Sequence, residues 1–398
     1  RRPPRSTPFP YTTLFRSPKL KETARSLAAV LINIQRDSSP NLPQAPTWRN
    51  YIRLQQVFED IYDSLDLTFG IISDNEGPYV QYFERKTNKV LQNFDSISTG
   101  INAMLNLLFH LMMEQEHIFL FEDPEIQLHP HSQRTLYNII KEFCLQNQCV
   151  LITHSLVMFQ PEDVFQLRIF SQINGVTQVH RLEIPRNPKD ILRLKRNFSV
   201  QNRDAIFADG IIFVEGLTEE LTFGYFFRVA GFDMDLNNLS LINIGGKGSF
   251  AVFYNFARQF NKKYWFFFDN DVLGVSADQS ITSELFARSV IYKNRDLLSK
   301  DIALLCEEIV QNKGESTIEF ESRLEMLRNL LQREHIFVLN EDFETIFEKS
   351  LGSKLQLTGG KVDKAMQLME FLRDSEAGQF LPESLYGYIE IIQDELKL

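Results

Sequence analysis

Ile211-Ile-Phe-Val-Glu-Gly-Leu-Thr-Glu219 and, 54 residues beyond Glu215, Phe266-Phe-Phe-Asp269-Asn-Asp271 are the two stretches that decide how this chain folds. In each, a short apolar run ends on acid. Continuous apolar runs bounded by turn residues read as strands of a parallel sheet covered on both faces. The first stretch puts Glu215 at a strand end, Gly216 at a tight turn and Glu219 in the first turn of the following helix. The second puts Asp269 and Asp271 at i and i+2, a spacing that aims both toward one side of an extended segment. Strand ends of one parallel sheet meet at its carboxyl edge, where open α/β sheets hold ligands. Three or four carboxylates converging there without His or Cys select a hard cation, Mg²⁺ or Mn²⁺.

Around these stretches strands and helices alternate. Helical periodicity runs over 219–229 and 250–259, and strand-like runs cover 239–244 and 264–268, with Gly245-Gly-Lys-Gly-Ser249 after the middle strand. The pattern predicts a small parallel sheet with helices on both faces. A charged, helix-rich stretch over 282–333 reads as an insertion, after which 335–339 is a strand again. Val338-Leu-Asn-Glu-Asp342-Phe-Glu344 then offers late acids, and Gly360-Lys361 with Lys364 offers a lysine. Residues 361–398 read as a helical tail. The phenylalanines of 223–227 and 266–268 sit on periodic or strand-like segments and read as core.

Toward the N-terminus, 20–113 reads as mainly helical, with amphipathic spacing in 51–58 and again from Val90 to Phe94. From His117 the grammar changes to strand (118–121), helix (131–146), strand (149–152). Glu122-Asp123-Pro124-Glu125 leaves the first of these strands and Thr153-His154-Ser155 leaves the second. Nucleotide hydrolysis needs one acid for the Mg²⁺ shell and one to orient water, with an imidazole in reach of the γ-phosphate. Ser98-Thr99-Gly100 precedes an apolar helix whose N–H groups suit phosphate. Asn174-Gly175 predicts a two-residue hairpin. Pro185, Pro188 and the cations Arg186, Lys189, Arg193, Lys195 and Arg196 read as a basic linker. The first 17 residues, with four Arg, four Pro and no acid, look foreign to the rest and are set aside.

Composition narrows the classes. With 398 residues and 43% hydrophobic content the chain suits two or three folded domains rather than disorder. A net charge of −10 argues against gripping nucleic acid by bulk electrostatics. Cys144, Cys149 and Cys306 form neither a disulfide framework nor a zinc pattern, and His129 and His131 lack a third ligand. No apolar run approaches the ~20 residues that cross a bilayer, so the expectation is a cytoplasmic protein without a membrane partner.

Phe119-Leu-Phe-Glu-Asp-Pro-Glu-Ile-Gln-Leu-His-Pro130 with Thr153-His-Ser resembles the Walker B and switch segments of ABC/SMC-type ATPases, as found in the OLD (overcoming lysogenization defect) family. The pairing of VEGxTE with DxD resembles the Toprim domain. An ATPase half followed by Toprim is the arrangement of OLD-family nucleases. The resemblance covers about 91–364 and implies an α/β chain: the C-terminal half of an ATPase domain over 18–184, a basic linker over 185–204, and Toprim over 205–360 with its insertion. It implies that Glu122 supports Mg²⁺, Asp123 replaces the usual catalytic Glu, His154 is the switch histidine, and Ser98 to Gly100 completes a partner subunit's site. In the Toprim half it implies Glu215, Glu219, Asp269 and Asp271 as catalytic, metal-holding acids, with Glu344 and Asp342 as the later acids and Lys361 as the lysine.

No GxxxxGK[ST] phosphate loop occurs in the sequence, and Gly245 to Ser249 lacks its spacing. The resemblance therefore implies an N-terminally truncated member that does not turn over ATP by itself. The function expected is metal-dependent DNA endonuclease activity, coupled in the intact protein to ATP and a homodimer or higher homo-oligomer, in defence against phage. A helicase partner is left open. The alternative is an ATP-gated scaffold that binds nucleic acid without cleaving it. A primase or topoisomerase would need a further domain, and none is recognised.

Overall fold

The computed structural model describes residues 12–15, 31, 46–75, 77–93, 99–113, 118–126, 128–145, 147–185, 187–197, 202–274, 281–312, 317–351, 356–373 and 382–397. They form two compact units, Arg1–Phe159 and Gln160–Leu398.

The first unit contains β1 (Thr12–Phe15), α1 (Pro46–Ile61), β2 (Leu67–Asp74), β3 (Gly77–Glu84), β4 (Val90–Asn93), α2 (Thr99–Met113), β5 (Ile118–Glu122), α3 (Pro130–Phe143) and β6 (Gln148–Ile152). Strands β1, β5 and β6 make a parallel sheet in that order, with Leu14 beside Leu120 and Phe119 beside Cys149. Thr12–Phe15 thus supplies an edge strand from within the segment that the sequence reading set aside. Strands β2, β3 and β4 form an antiparallel sheet, which corrects the expectation of a mainly helical stretch and of a helix through Val90. Helix α1 does form over the amphipathic 51–58, packing Leu54 and Phe58 into a core with Phe69, Tyr82, Leu105, Leu108, Phe119, Phe121 and Leu136. The β5 and β6 runs are not covered on both faces: Phe119 and Phe121 are buried while Ile118, Val150 and Ile152 are exposed.

The second unit opens with the hairpin β7 (Ile169–Ile173) and β8 (Val176–His180), whose two-residue turn is Asn174-Gly175 as expected. The predicted linker contains a helix, α4 (Pro188–Asn197), with Pro188 at its first position and Leu194 buried. There follow β9 (Gly210–Val214), α5 (Leu217–Val229), β10 (Leu239–Asn243), α6 (Phe250–Gln259) and β11 (Lys263–Phe268). The insertion holds α7 (Ser283–Phe286), α8 (Val290–Lys293), α9 (Lys300–Gln311) and α10 (Thr317–Arg333). The chain then returns through β12 (Ile336–Val338), α11 (Phe343–Leu351), α12 (Lys361–Leu372) and α13 (Glu383–Lys397).

The sheet order is β10-β9-β11-β12, all parallel. Every residue of β9 is buried, as a central strand covered on both faces requires. On one face Phe213, Phe266 and Phe268 meet Phe250 and Phe253 of α6. On the other, Val214, Trp265, Phe267 and Phe337 pack with Phe223, Phe226, Phe343 and Phe347. The phenylalanine runs are therefore core. The helical tail belongs to that same core through Leu368, Leu385, Ile389 and Ile392. It is also pinned to the sheet, where the Trp265 indole N–H of β11 donates to Glu395 Oε2 at 2.7 Å. No helix among the described residues is long and apolar enough to cross a membrane.

Candidate functional site

The carboxyl edge of the second unit's sheet gathers acids from four elements. Glu215 leaves β9, and its carbonyl accepts from Gly246 N–H at 2.9 Å, tying the β9 exit to the turn after β10. Gly246 holds φ at +104°, a conformation only glycine enters freely. At Gly216 a Cβ would stand 3.1 Å from Glu219 Oε2, so a bare backbone there leaves that carboxylate its place. Glu219, in the first turn of α5, is buried, and its charge suits a helix N-terminus. Glu344 lies in the first turn of α11, also buried, and accepts a 2.9 Å hydrogen bond from the Thr218 hydroxyl. Asp269 follows β11 directly and accepts from Phe343 N–H at 3.0 Å.

These four carboxylates feel one another. Burial, then the charges of Glu219, Glu215 and Glu344, push the Asp269 carboxyl up to about 8, against the smaller downward pull of the Phe343 N–H. At neutral pH this cluster therefore retains a proton. Its donors are carboxylate oxygens alone, the chemistry that suits Mg²⁺ or Mn²⁺. Among the described residues no group of three or more His, Cys, Asp or Glu is drawn closely enough to enclose an ion outright.

The other expected site residues are placed differently. Asp271 is half exposed and ion-paired with Lys247, whose Nζ also donates to the Asp271 carbonyl at 3.2 Å. Asp342 caps α11, accepting from Thr345 N–H at 2.8 Å, which accounts for it structurally. Lys361 starts α12, and its side chain lies outside the described residues. Lys364 pairs with Glu348 at 3.4 Å. Two residues were missed. Lys247 reaches the second acid pair, and Arg328, from insertion helix α10, donates to Asn270 Oδ1 at 2.6 Å, between Asp269 and Asp271. Lys247 was legible as a cation on the turn joined to Glu215, whereas no sequence signal links Arg328 to Asn270.

In the first unit Glu122 ends β5, and Asp123 follows in the left-handed region at φ 47°, its N–H donating to Ile152 O at 2.9 Å. Glu125 is buried and accepts from the Thr153 hydroxyl. Ser155 N–H donates to Thr153 Oγ1 at 3.0 Å, and the Ser155 hydroxyl donates to Gln133 Oε1 at 2.6 Å. The Pro-Glu-x-x-Leu-His-Pro frame is thus bonded to Thr-His-Ser across adjacent strand ends, with His154 exposed between them. His129 caps α3, its Nδ1 accepting from His131 N–H at 3.4 Å. Gly100 lies in the first turn of α2, and Ser98 lies outside the described residues.

A parallel strand-end ATPase frame followed by an acid-edged Toprim sheet defines the class. Residues 12–159 match the family described as "AAA ATPase domain", and residues 206–271 match "Overcoming lysogenization defect protein-like, TOPRIM domain". The chain thus carries an AAA-type ATPase segment followed by a segment similar to the Toprim domain of OLD-like proteins. An "OLD nuclease" of Thermus scotoductus is 20% identical over 352 residues, covering 84% of this chain and 59% of that protein. "Endonuclease GajA" of Bacillus cereus is 24% identical over 287 residues, covering 60% of this chain and 39% of that protein. This chain thus spans roughly three fifths and two fifths of those relatives' lengths. Of solved structures, the C-terminal region of the Burkholderia pseudomallei OLD protein is 16% identical, covers 48% of this chain and 99% of its own, and gives a TM-score of 0.31.

Proposed function

We propose that this chain is the Toprim-bearing part of a metal-dependent DNA endonuclease whose cutting is coupled, in the intact protein, to ATP and to self-association through the ATPase half. The observation that carries the reading is the gathering of Glu215, Glu219, Asp269 and Glu344 at one sheet edge, where burial and then the neighbouring charges push the Asp269 carboxyl up to about 8. Such crowding of buried acid is costly in a fold without a cation and is relieved by one. Glu215, Glu219 and Asp269 would hold Mg²⁺ or Mn²⁺ with Asp271, and Glu344 would stand beside them. Such a cation would supply an activated water and charge stabilisation at the leaving oxygen. The chain's own residues do the rest. Thr218 fixes Glu344, Phe343 N–H orients Asp269, and Lys247 and Arg193 offer positive charge to the phosphate backbone. The OLD likeness supports extending the reading to a role in defence against phage. The second reading is a scaffold that binds metal or nucleic acid without cleaving.

Plasmid nicking by the purified chain with Mn²⁺ or Mg²⁺ tests this. Asp269→Ala should lower the rate by more than ~10²-fold. Arg193→Ala should weaken DNA binding and its salt dependence while sparing the chemical step. Equal nicking by wild type and Asp269→Ala would assign the activity to a contaminant and leave the scaffold reading.

A further inference from the structure

Lys247 touches both acid pairs. Its backbone N–H donates to Glu215 Oε1 at 3.4 Å, its ammonium pairs with the Asp271 carboxylate, and the same ammonium donates to the Asp271 carbonyl at 3.2 Å. The acids whose charges act on Asp269 are Glu219, Glu215 and Glu344, all from other elements. Asp271, two residues away, is instead half exposed and occupied by the lysine. The turn that carries Lys247 is itself held to β9 through Gly246 N–H and Glu215 O. The ammonium therefore stands on Asp271, the partner acid of Asp269 that remains outside the cluster.

We propose that Lys247 is a positioning residue, a latch that holds Asp271 away from the other acids and that an incoming divalent cation must displace. This rests on the reading that these acids bind such a cation. A metal taking Asp271 frees the ammonium, which then lies beside the site with its charge available to a phosphate oxygen. Lysine suits this as a compact charge on a flexible stem.

Mn²⁺ binding to the full chain, followed by titration calorimetry without DNA, tests the latch separately from cleavage. Lys247→Met should bind Mn²⁺ about two- to fivefold more tightly than wild type, the scale of a partly exposed ion pair. Lys247→Arg should keep the wild-type affinity. In an Asp271→Asn background Lys247→Met should change nothing, because the latch has no partner there. Equal affinity of wild type and Lys247→Met overturns the latch and leaves the metal site standing. The same tightening in both backgrounds overturns it too, by revealing general charge repulsion. If no variant binds Mn²⁺, the latch and the metal-site reading fall together.

Discussion

The Thr218 hydroxyl donates a 2.9 Å hydrogen bond to Glu344 Oε1, joining the first acid motif to the last across 126 positions of sequence. Both residues are buried, and Thr222 adds a hydroxyl bond to the Thr218 carbonyl at 2.7 Å. Glu344 is thereby placed on the same edge as Asp269, although the whole helical insertion lies between them in the chain.

Loss of that bond should be felt in stability. Thr218→Val keeps the shape of the side chain and leaves a buried carboxylate short of a donor, a cost of about 1–3 kcal/mol. Thr218→Ser should recover most of it. Urea denaturation of both variants measures the difference, and a Thr218→Val protein within ~0.5 kcal/mol of wild type would deny the bond any weight.

The Asp269 proton predicts a pH dependence whose sign is definite. Its folded pKa, about 8, lies above the ordinary carboxyl value of 3.8. The folded state thus binds the proton more tightly, and its contribution is fully present below the unfolded value and lost as pH rises through the folded one. In chelator, the melting temperature should therefore fall from pH 4 toward pH 8 through this group. Asp269→Asn, which stays neutral, should flatten that limb. Thermal melts across this range decide it, and parallel curves for the two proteins would count against the crowded acids.

Core and surface aromatics should separate cleanly. Phe226 is fully buried and stacks on Phe347 at 4.6 Å between centroids, so Phe226→Ala should cost about 3–5 kcal/mol. Phe170, exposed on the β7–β8 hairpin, should tolerate alanine within ~0.5 kcal/mol. Equal losses in chemical denaturation would mean that the hairpin face is covered.

ATP turnover is expected to be absent from this chain, since no GxxxxGK[ST] loop occurs in its sequence. Phosphate release should match buffer and be unaltered by Asp123→Ala. Turnover near ~1 s⁻¹ that this substitution abolishes would show that the triphosphate is held by other groups.

Strands β9, β11 and β12 and helices α5 and α6 were legible because long, strongly apolar or periodic runs leave little choice of structure. The sheet of β2 to β4 was not. Val90–Asn93 has four residues, too few to distinguish a period of 2 from one of 3.6, and Gly70 and Pro78 blur the alternation of its partners. The helix at Pro188–Asn197 was hidden by its prolines and cations, which suit a linker equally well until Leu194 finds a core to enter.

By itself the sequence determined that acids stand at the ends of two apolar strands, because an apolar run that stops at Glu215 or Asp269 buries the run and leaves the acid at its exit; that the two strands are direct neighbours came from the structure. The ATPase frame over 119–130 and 153–155 was readable for the same reason. Only the tertiary structure decided which acids share a field, which one Lys247 occupies, and that Thr218 and Arg328 hold residues far away in sequence. Those outcomes depend on burial and on distances between distant elements. A carboxylate's charge state follows from how many others crowd it out of water, and local pattern carries no record of that approach.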